Sequence, residues 1–322
     1  MENTKKNSVA KKILRPELSI FIFFIISIVA GTLISPDFLD LKYILSTMPL
    51  YTELGIIALA FTYLMIAGEI DLSVASALTL VSCVSAVLYQ SGMSMEAVIP
   101  IGLLLGLVLG LFNGILVTVT KIPSLIITLG SMSMYRGLAQ VLIGDGSISG
   151  FPEWFVGIDR MLLFGVVPMP IVIFVLLTVI MEIILKKTFF GRKVVAVGSQ
   201  PQVAVYSAVH VDRVKLVLFG LLGLSEGIAG LMSLSRLGLA KYSIGVGGEL
   251  DIITMVLLGG TAFSGGRGSL TGTALAFLVI VLLKTSMTLV NLRRMDQLLV
   301  IGLMLIIVII LTDKLNKYQD QS

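Results

Sequence analysis

Charge is what this chain has least of. Only 13% of its 322 residues are Asp, Glu, Lys or Arg, against 57% hydrophobic, whereas a water-soluble domain carries roughly 25% charged residues. One cysteine, Cys83, and one histidine, His210, leave no intrachain disulfide, no CxxC metal site and no His–Cys nucleophilic pair. A phosphate loop is also missing. GGRGSLTG (265–272) and GVGGEL (245–250) are glycine-rich, but neither fits G-x-x-x-x-G-K-[ST] nor the strand–loop–helix setting that such a loop needs. GSISG (146–150) has Ile148 where a nucleophile elbow requires serine. The residues therefore predict no enzyme, no cofactor and no metal site.

What is abundant is apolar sequence in runs long enough to cross a hydrocarbon core of roughly 30 Å as helices. The runs fall at about 17–35, 44–67, 72–90, 97–120, 124–143, 162–185, 214–234, 250–264, 270–290 and 295–312. They predict an all-α, polytopic membrane protein of about ten transmembrane helices, the eighth short and rich in glycine. With the N-terminus placed in the cytoplasm, that side collects Lys5, Lys6, Lys11, Lys12, Arg15, Lys121, Lys186, Lys187, Arg192, Lys193, Arg213, Lys215, Arg267, Lys314 and Lys317. The other side holds Lys42, Arg160, Arg236, Lys241, Arg293 and Arg294. This asymmetry predicts two cytoplasmic termini and accounts for the net charge of +4 without nucleic acid; Arg293 and Arg294 fit it least well. The expected division is a cytoplasmic tail over 1–16, a membrane domain over 17–313 and a tail over 314–322. No A-x-A site follows the first apolar run, so it is expected to stay as a transmembrane helix rather than be cleaved.

Two connections are longer than turns. The outer one, about 144–162, carries Phe151, Trp154 and Phe155, suited to a short amphipathic element at the interface. The other, about 186–215, is the most polar internal segment; Pro201 to Ala208 within it has room for about two helical turns and makes a natural docking knob for a soluble partner. Gly102, Gly106, Gly110 and Gly114 recur every fourth residue, and Gly220, Gly223, Gly227 and Gly230 form a second small-residue face. Both predict tight helix packing.

Among so few charges, the stretch LMIAGEIDLSVASALTL (64–80) places Glu69 and Asp71 between two apolar blocks. Two positions apart, they would point about 200° apart on a continuous helix, which argues against a shared-proton hydrolytic pair. Two readings stand. The acids could serve as proton or sodium ligands at a helix break in an ion-coupled carrier. Alternatively Gly68 ends one span and Asp71 or Ser73 caps the next, with a gating or pathway role added to the cap. Of the other intramembrane charges, Arg136 is expected to snorkel towards the outer surface. Glu226 calls for a polar partner or cavity, and Glu249 and Asp251 either cap the eighth span or line an outer vestibule. Lys284 is expected near the outer interface.

Four blocks in order, GEIDLSVAS (68–76), GLFNGILVTVTKIPSLIITLGSMSMYRGLA (110–139), FGRKVVAVGSQPQVAVYSAVHVDRVK (190–215) and ELDIITMVLLGGTAFSGGRGSLTGT (249–273), resemble one family. It is the permease subunit of ATP-binding-cassette importers for pentoses, related monosaccharides and autoinducer-2, the ribose-permease type. The resemblance covers about residues 17–313. PQVAVYSAV looks closest to the autoinducer-2 permeases, and SRLGLAKYSIGVGGELDIITMVLLGG (235–260) also resembles rhamnose permeases, so autoinducer-2, rhamnose and ribose all stand as ligands. It implies a type II importer-like fold, a prokaryotic cell membrane and a second permease, like or unlike. A cytoplasmic ATPase subunit and an extracytoplasmic solute-binding protein complete the implied complex. The family's ATPase-coupling segment maps onto Gly198, Ser199, Gln200, Pro201, Gln202, Val203, Ala204, Ser207 and Ala208, with Arg192 just upstream. Four positions depart from the family pattern: glycine is usual at Ala208, an Asn-Glu pair at Gln200 and Pro201, and glycine at Glu69. Residues expected to line or gate the pathway of a polyhydroxylated ligand are Glu69, Asp71, Ser73, Asn113, Thr128, Ser131, Arg136, Glu249, Asp251 and Thr254, with Ser133 as further polar lining. The rival function is an ion-coupled secondary transporter of a small polar solute.

Overall fold

A computed structural model describes residues 16–34, 38 and 40–320. Apart from Pro16, the expected N-terminal tail lies outside the described residues, as do the last two positions. Among the described residues the chain forms fourteen helices: α1 Pro16–Ile34, α2 Leu41–Thr47, α3 Pro49–Ile66, α4 Val74–Gln90, α5 Met95–Thr120, α6 Ser124–Ile143 and α7 Glu153–Ile158. They continue with α8 Met169–Lys187, α9 Phe189–Ser199, α10 Pro201–Tyr206, α11 Val211–Leu237, α12 Gly248–Leu258, α13 Leu270–Leu289 and α14 Arg294–Asp320. Two two-stranded ribbons accompany them: β1 Ile148–Ser149 pairs antiparallel with β4 Leu239–Ala240, and β2 Leu162–Leu163 with β3 Val167–Pro168.

Six helices, α3, α5, α6, α8, α11 and α13, are long and apolar enough to cross a membrane; α1 (over Ile20–Leu33) and α4 are apolar but shorter. Each of the ten apolar runs lies over a helix, and six of the described helices are individually long and apolar enough to span, so the expected count of about ten is not confirmed. The runs bridge breaks that hydrophobicity alone does not mark. The 250–264 run crosses the end of α12, an eleven-residue helix only about 16 Å long, and the 72–90 run begins inside the turn before α4. The last helix also continues beyond the expected boundary at 313.

At the centre, nearly every side chain of α3 is buried. Tyr63, the second of its two tyrosines, donates its hydroxyl hydrogen bond to the Met181 carbonyl of α8. Phe174 of α8 and Phe277 of α13 stack with ring centroids 4.5 Å apart beside it. The glycine faces read from the sequence meet each other. A Cβ placed on Gly106 would stand 2.6 Å from the Gly227 Cα, and one on Gly223 would stand 2.8 Å from the Gly110 Cα. So α5 and α11 cross backbone against backbone, at a separation no larger residue allows. The long loop holds the expected aromatic element as α7; Phe155 and Phe151 are buried and Trp154 is half-exposed. Ser235 of α11 donates to the Phe155 carbonyl at 2.5 Å.

Between α8 and α11 the polar segment is more ordered than its composition suggests. It forms two short helices, α9 and α10, separated by an extended Gln200. The second is Pro201–Tyr206, and in the turn after it Ala208 adopts φ +58°, a left-handed backbone that is costly for any residue with a Cβ. That geometry explains why glycine suits this position.

Candidate functional site

Three polar constructions stand out, and the turn between α3 and α4 anchors the first. Gly68 (φ +82°) ends α3, and the Glu69 N–H reaches back to the Leu64 carbonyl at 3.1 Å, the closing pattern of a helix stopped by a left-handed residue. Glu69 and Asp71 then diverge. Glu69, 8% exposed, pairs with Lys215 of α11. Asp71 is fully buried; its Oδ1 accepts the Ser73 N–H at 2.7 Å and the Ser73 hydroxyl at 2.6 Å. Asp71 thus closes a turn on Ser73, which stands at the N-cap of α4, and the expected side-chain cap to the helix N–H groups is not formed.

Asn113 of α5 joins this turn to α6. Its Nδ2 donates to Asp71 Oδ2 at 3.0 Å and to Ser73 Oγ at 2.9 Å. Its Oδ1 accepts from the Ser131 hydroxyl at 2.6 Å and the Tyr135 hydroxyl at 3.2 Å. Ser124 and Thr128 of α6 accept the free amides of Ile70 and Leu72, each at 3.1 Å. A turn buried this deeply would strand its N–H groups, and α6 supplies the missing acceptors. Glu226 of α11 is 1% exposed, and its Oε1 has no hydrogen-bond partner among the described residues. Sequence reasoning named Asp71, Ser73, Asn113, Thr128 and Ser131 but missed Ser124 and Tyr135. Their signal is spacing: Ser124, Thr128, Ser131 and Tyr135 share one face of α6. Ser133 lies on the opposite, exposed face.

Arg136 does not snorkel. Its Nη1 donates to the carbonyls of Tyr242 and Ile244 at 2.9 and 2.7 Å and to Thr79 Oγ1 at 3.2 Å. Of the five donors in the guanidinium's fixed fork, those on Nη1 serve the folded-in 241–247 loop and Thr79. Thr254 is buried and bonds only its own helix, through the Leu250 carbonyl at 2.6 Å, apart from the Asp71 group.

The second construction is a cavity of about 340 Å³ at the other end of α3, walled by α3, α11, α12, α13 and α14. Arg236 grips Glu53 bidentately, Nε to Oε2 at 3.1 Å and Nη2 to Oε1 at 2.6 Å. Lys284 pairs with Asp251 and lies 5.4 Å from the centre of the Tyr51 ring. Arg294 donates to the Val246 carbonyl at 2.7 Å. Asp251 was expected here or at the helix cap; Glu53 and Arg236 were missed, although a lone acid in an apolar run calls for a buried cation. Nearby, in the loop after α7, burial pushes the Asp159 carboxyl above its ordinary range while Arg236 and Arg160 pull it back. Glu249 lines no part of this cavity; its Oε2 has no hydrogen-bond partner among the described residues.

The third lies at the Gly68 end. Gly198 of α9, Gly68 and the Gly265–Gly266 pair of the α12–α13 loop pack together: a Cβ on Gly198 would overlap the Ile66 carbonyl and stand 2.7 Å from the Gly266 N. The rest of the segment turns outward. Arg192 lies exposed, its guanidinium 4.4 Å from the Phe189 ring centre. Ser199, Gln200, Pro201, Gln202, Val203, Ser207 and Ala208 are exposed and Ala204 is buried. Beside them an open groove of about 790 Å³ runs along α10 to Lys121 and Asp212, whose side chains bond at 2.8 Å.

The family described as "Branched-chain amino acid transport system / permease component" matches residues 43–309. The chain is also similar to "Autoinducer 2 import system permease protein LsrD" of Escherichia coli (strain SMS-3-5 / SECEC), 34% identical over 300 residues covering 91% of each chain. The proteins of that name from Escherichia coli (strain K12) and Shigella flexneri match to the same extent. No solved structure matches it.

Proposed function

The chain belongs to the permease-component family of branched-chain amino acid transport systems, and from there we propose that it is the membrane-spanning permease of an ATP-binding-cassette importer for autoinducer-2. It is a transport component of a multi-pass membrane protein class rather than an enzyme. The observation that carries the ligand is the similarity to autoinducer-2 import permeases over 91% of both chains. A monosaccharide such as rhamnose or ribose is the second reading, favoured by the sequence over 235–260.

The Gly68 end gathers Lys121, Lys186, Lys187, Arg192, Lys193, Arg213, Lys215 and Arg267, which supports placing it, with both termini, in the cytoplasm. There the exposed stretch from Arg192 to Ala208 docks the ATPase subunit. The 340 Å³ cavity then opens outward, towards the binding protein. A second permease covers α6, whose exposed face carries Gly130, Ser133, Gly137 and Gln140, a poor surface for lipid and a good one for another helix.

In the transport cycle the binding protein releases its ligand at the outer mouth. Movement of the docking segment passes through Gly198 to the ends of α3 and the α12–α13 loop, and the spans rock between outward- and inward-open states. The Asp71–Asn113–Ser131 network lies behind this junction and holds α4, α5 and α6 in register while α3 moves. No acid in the 68–73 turn serves as an ion ligand in this reading, because Glu69 and Asp71 each have protein partners.

The test is reconstitution in proteoliposomes with the ATPase and binding protein encoded with it. Labelled autoinducer-2 should accumulate only when all three components and ATP are present. Uptake by the purified chain alone, driven by a proton or sodium gradient, would replace this reading with the secondary-transporter one.

A further inference from the structure

The cavity beside Asp251 has a composition that neither docking nor helix packing requires. Its two acids, Glu53 and Asp251, are each matched by a cation, Arg236 and Lys284, so its charges nearly cancel while its wall still offers N–H donors and carboxylate acceptors side by side. Hydroxyl groups both donate and accept, and such a wall suits several of them at once. An anion would find both cations already neutralised, and a cation would meet the extra charge of Arg294, which also lines the cavity.

One acceptor is vacant. Asp251 is 2% exposed, and its Oδ1 has no hydrogen-bond partner among the described residues, although Oδ2 is held by Lys284. A buried carboxylate oxygen without a donor is costly. It lies in the first turn of α12, whose N-terminal end opens on the cavity through Gly248 and Asp251; the Gly248 and Leu250 N–H groups there already donate to the Gly245 and Gly247 carbonyls at 2.9 and 3.1 Å, which leaves the side chains of Asp251 and Lys284 as the groups open to a ligand. Interrupted helices that present a terminus to a buried cavity are a recurrent way of holding a transported molecule. At about 340 Å³ the space lies at the small end of ligand sites, about 300–1,000 Å³.

We propose that the permease itself holds the imported molecule in this cavity, and that the molecule is a neutral, polyhydroxylated compound of monosaccharide size, one of whose hydroxyls donates to Asp251 Oδ1 once the carboxylate, whose Oδ1 is sealed from the cavity in this structure, turns to face it. This rests on the importer reading above. The cavity is a station on the route, distinct from the binding protein's own site, with Asp251 and Lys284 as its ligand contacts and Glu53–Arg236 as its opposite wall.

The test uses the full importer in right-side-out vesicles. A reporter thiol is placed at Val246→Cys, whose side chain is 41% exposed at the rim, with Cys83→Ala removing the native cysteine. A membrane-impermeant methanethiosulfonate reagent labels it, and autoinducer-2, ribose and rhamnose are added in turn. The expected result is that the imported ligand slows labelling. Asp251→Asn or Lys284→Met should then raise both the protecting concentration and the KM of uptake by roughly tenfold or more, the effect of losing one hydrogen bond to a charged group. A merely structural role would lower maximal uptake and leave the protecting concentration unchanged, and that outcome overturns the proposal. So does labelling indifferent to a ligand that the vesicles import. If the complex hydrolyses ATP on meeting its binding protein yet imports none of the three, the ligand class fails and this site with it. Uptake that needs no ATP would instead remove the importer reading.

Discussion

The Gly266 N–H donates to the Ile66 carbonyl at 2.8 Å, and the Gly198 backbone rests against the same carbonyl. One oxygen in the last turn of α3 is thereby the meeting point of three stretches of chain, from α3, α9 and the α12–α13 loop. Backbone touching backbone has no rotamers to absorb a displacement, so a push on α9 is transmitted rather than dissipated.

Gly198→Ala tests that contact. Because the overlapping atoms are backbone, the junction has to open, and a loss of roughly 1–3 kcal/mol or more is expected for overpacking of this kind. The chain should still insert, while ATP hydrolysis and uptake become uncoupled. Gly302→Ala is the control, since nothing lies within 4 Å of a Cβ there. Thermal unfolding in detergent and the ratio of ligand imported to ATP hydrolysed measure the two effects.

Ala208→Gly should act in the opposite direction. The φ of +58° costs an alanine about 1–2 kcal/mol, part of which the more flexible unfolded glycine chain returns. A small rise in thermal stability is expected with docking retained. A fall would show that the Ala208 methyl contributes a contact that outweighs the backbone strain.

Asn113→Leu should be among the most damaging single changes in the chain. It strands Asp71 Oδ2 in a buried site and takes one partner each from the hydroxyls of Ser73, Ser131 and Tyr135, which keep Asp71 Oδ1 and the Ile127 and Leu109 carbonyls; an unsatisfied buried group costs about 1–3 kcal/mol. Little folded protein is expected in detergent, whereas Ser131→Ala removes one bond and should leave a measurable, modest loss. Equal stability of the two variants would show that the network relaxes freely.

Glu69 and Lys215 are expected to behave as a pair. Glu69→Gln and Lys215→Met should each weaken stability, and the double variant should recover part of the sum, with a coupling of roughly 1 kcal/mol in a double-mutant cycle. Uptake by Glu69→Gln should remain ATP-dependent. Its abolition with ATP hydrolysis intact would return Glu69 to the transport chemistry.

The sequence made some of this architecture legible and hid the rest for identifiable reasons. Periodicity located the Gly106–Gly110 and Gly223–Gly227 faces because a four-residue repeat of missing side chains has one use in a span. Polarity marked the 186–215 segment but not α9 within it, an eleven-residue helix interrupted by two glycines, Gly191 and Gly198. Hydropathy located the apolar runs but not where they break, because Gly259 and Gly260 are as compatible with an apolar run as with its end. Asp71 was legible as a turn acceptor, since a buried acid needs donors nearby, but not its turning on Ser73 rather than on the helix amides. Its bond to Asn113, forty-two positions away, is tertiary and has no local signature. Nor does the Glu53–Arg236 pair, whose partners are 183 positions apart; each charge alone only announces that something must answer it.

The eleven-residue length of α12 has a dielectric consequence. A helix of about 16 Å in a slab of about 30 Å leaves the remaining depth to loops lined with glycine carbonyls and to the cavity above. Across that region the low-polarity layer that opposes a hydrated solute is roughly halved in thickness, and the electric field of any membrane potential falls over a correspondingly shorter distance. A solute that reaches the first turn of α12 has already crossed much of the barrier before any helix has to move.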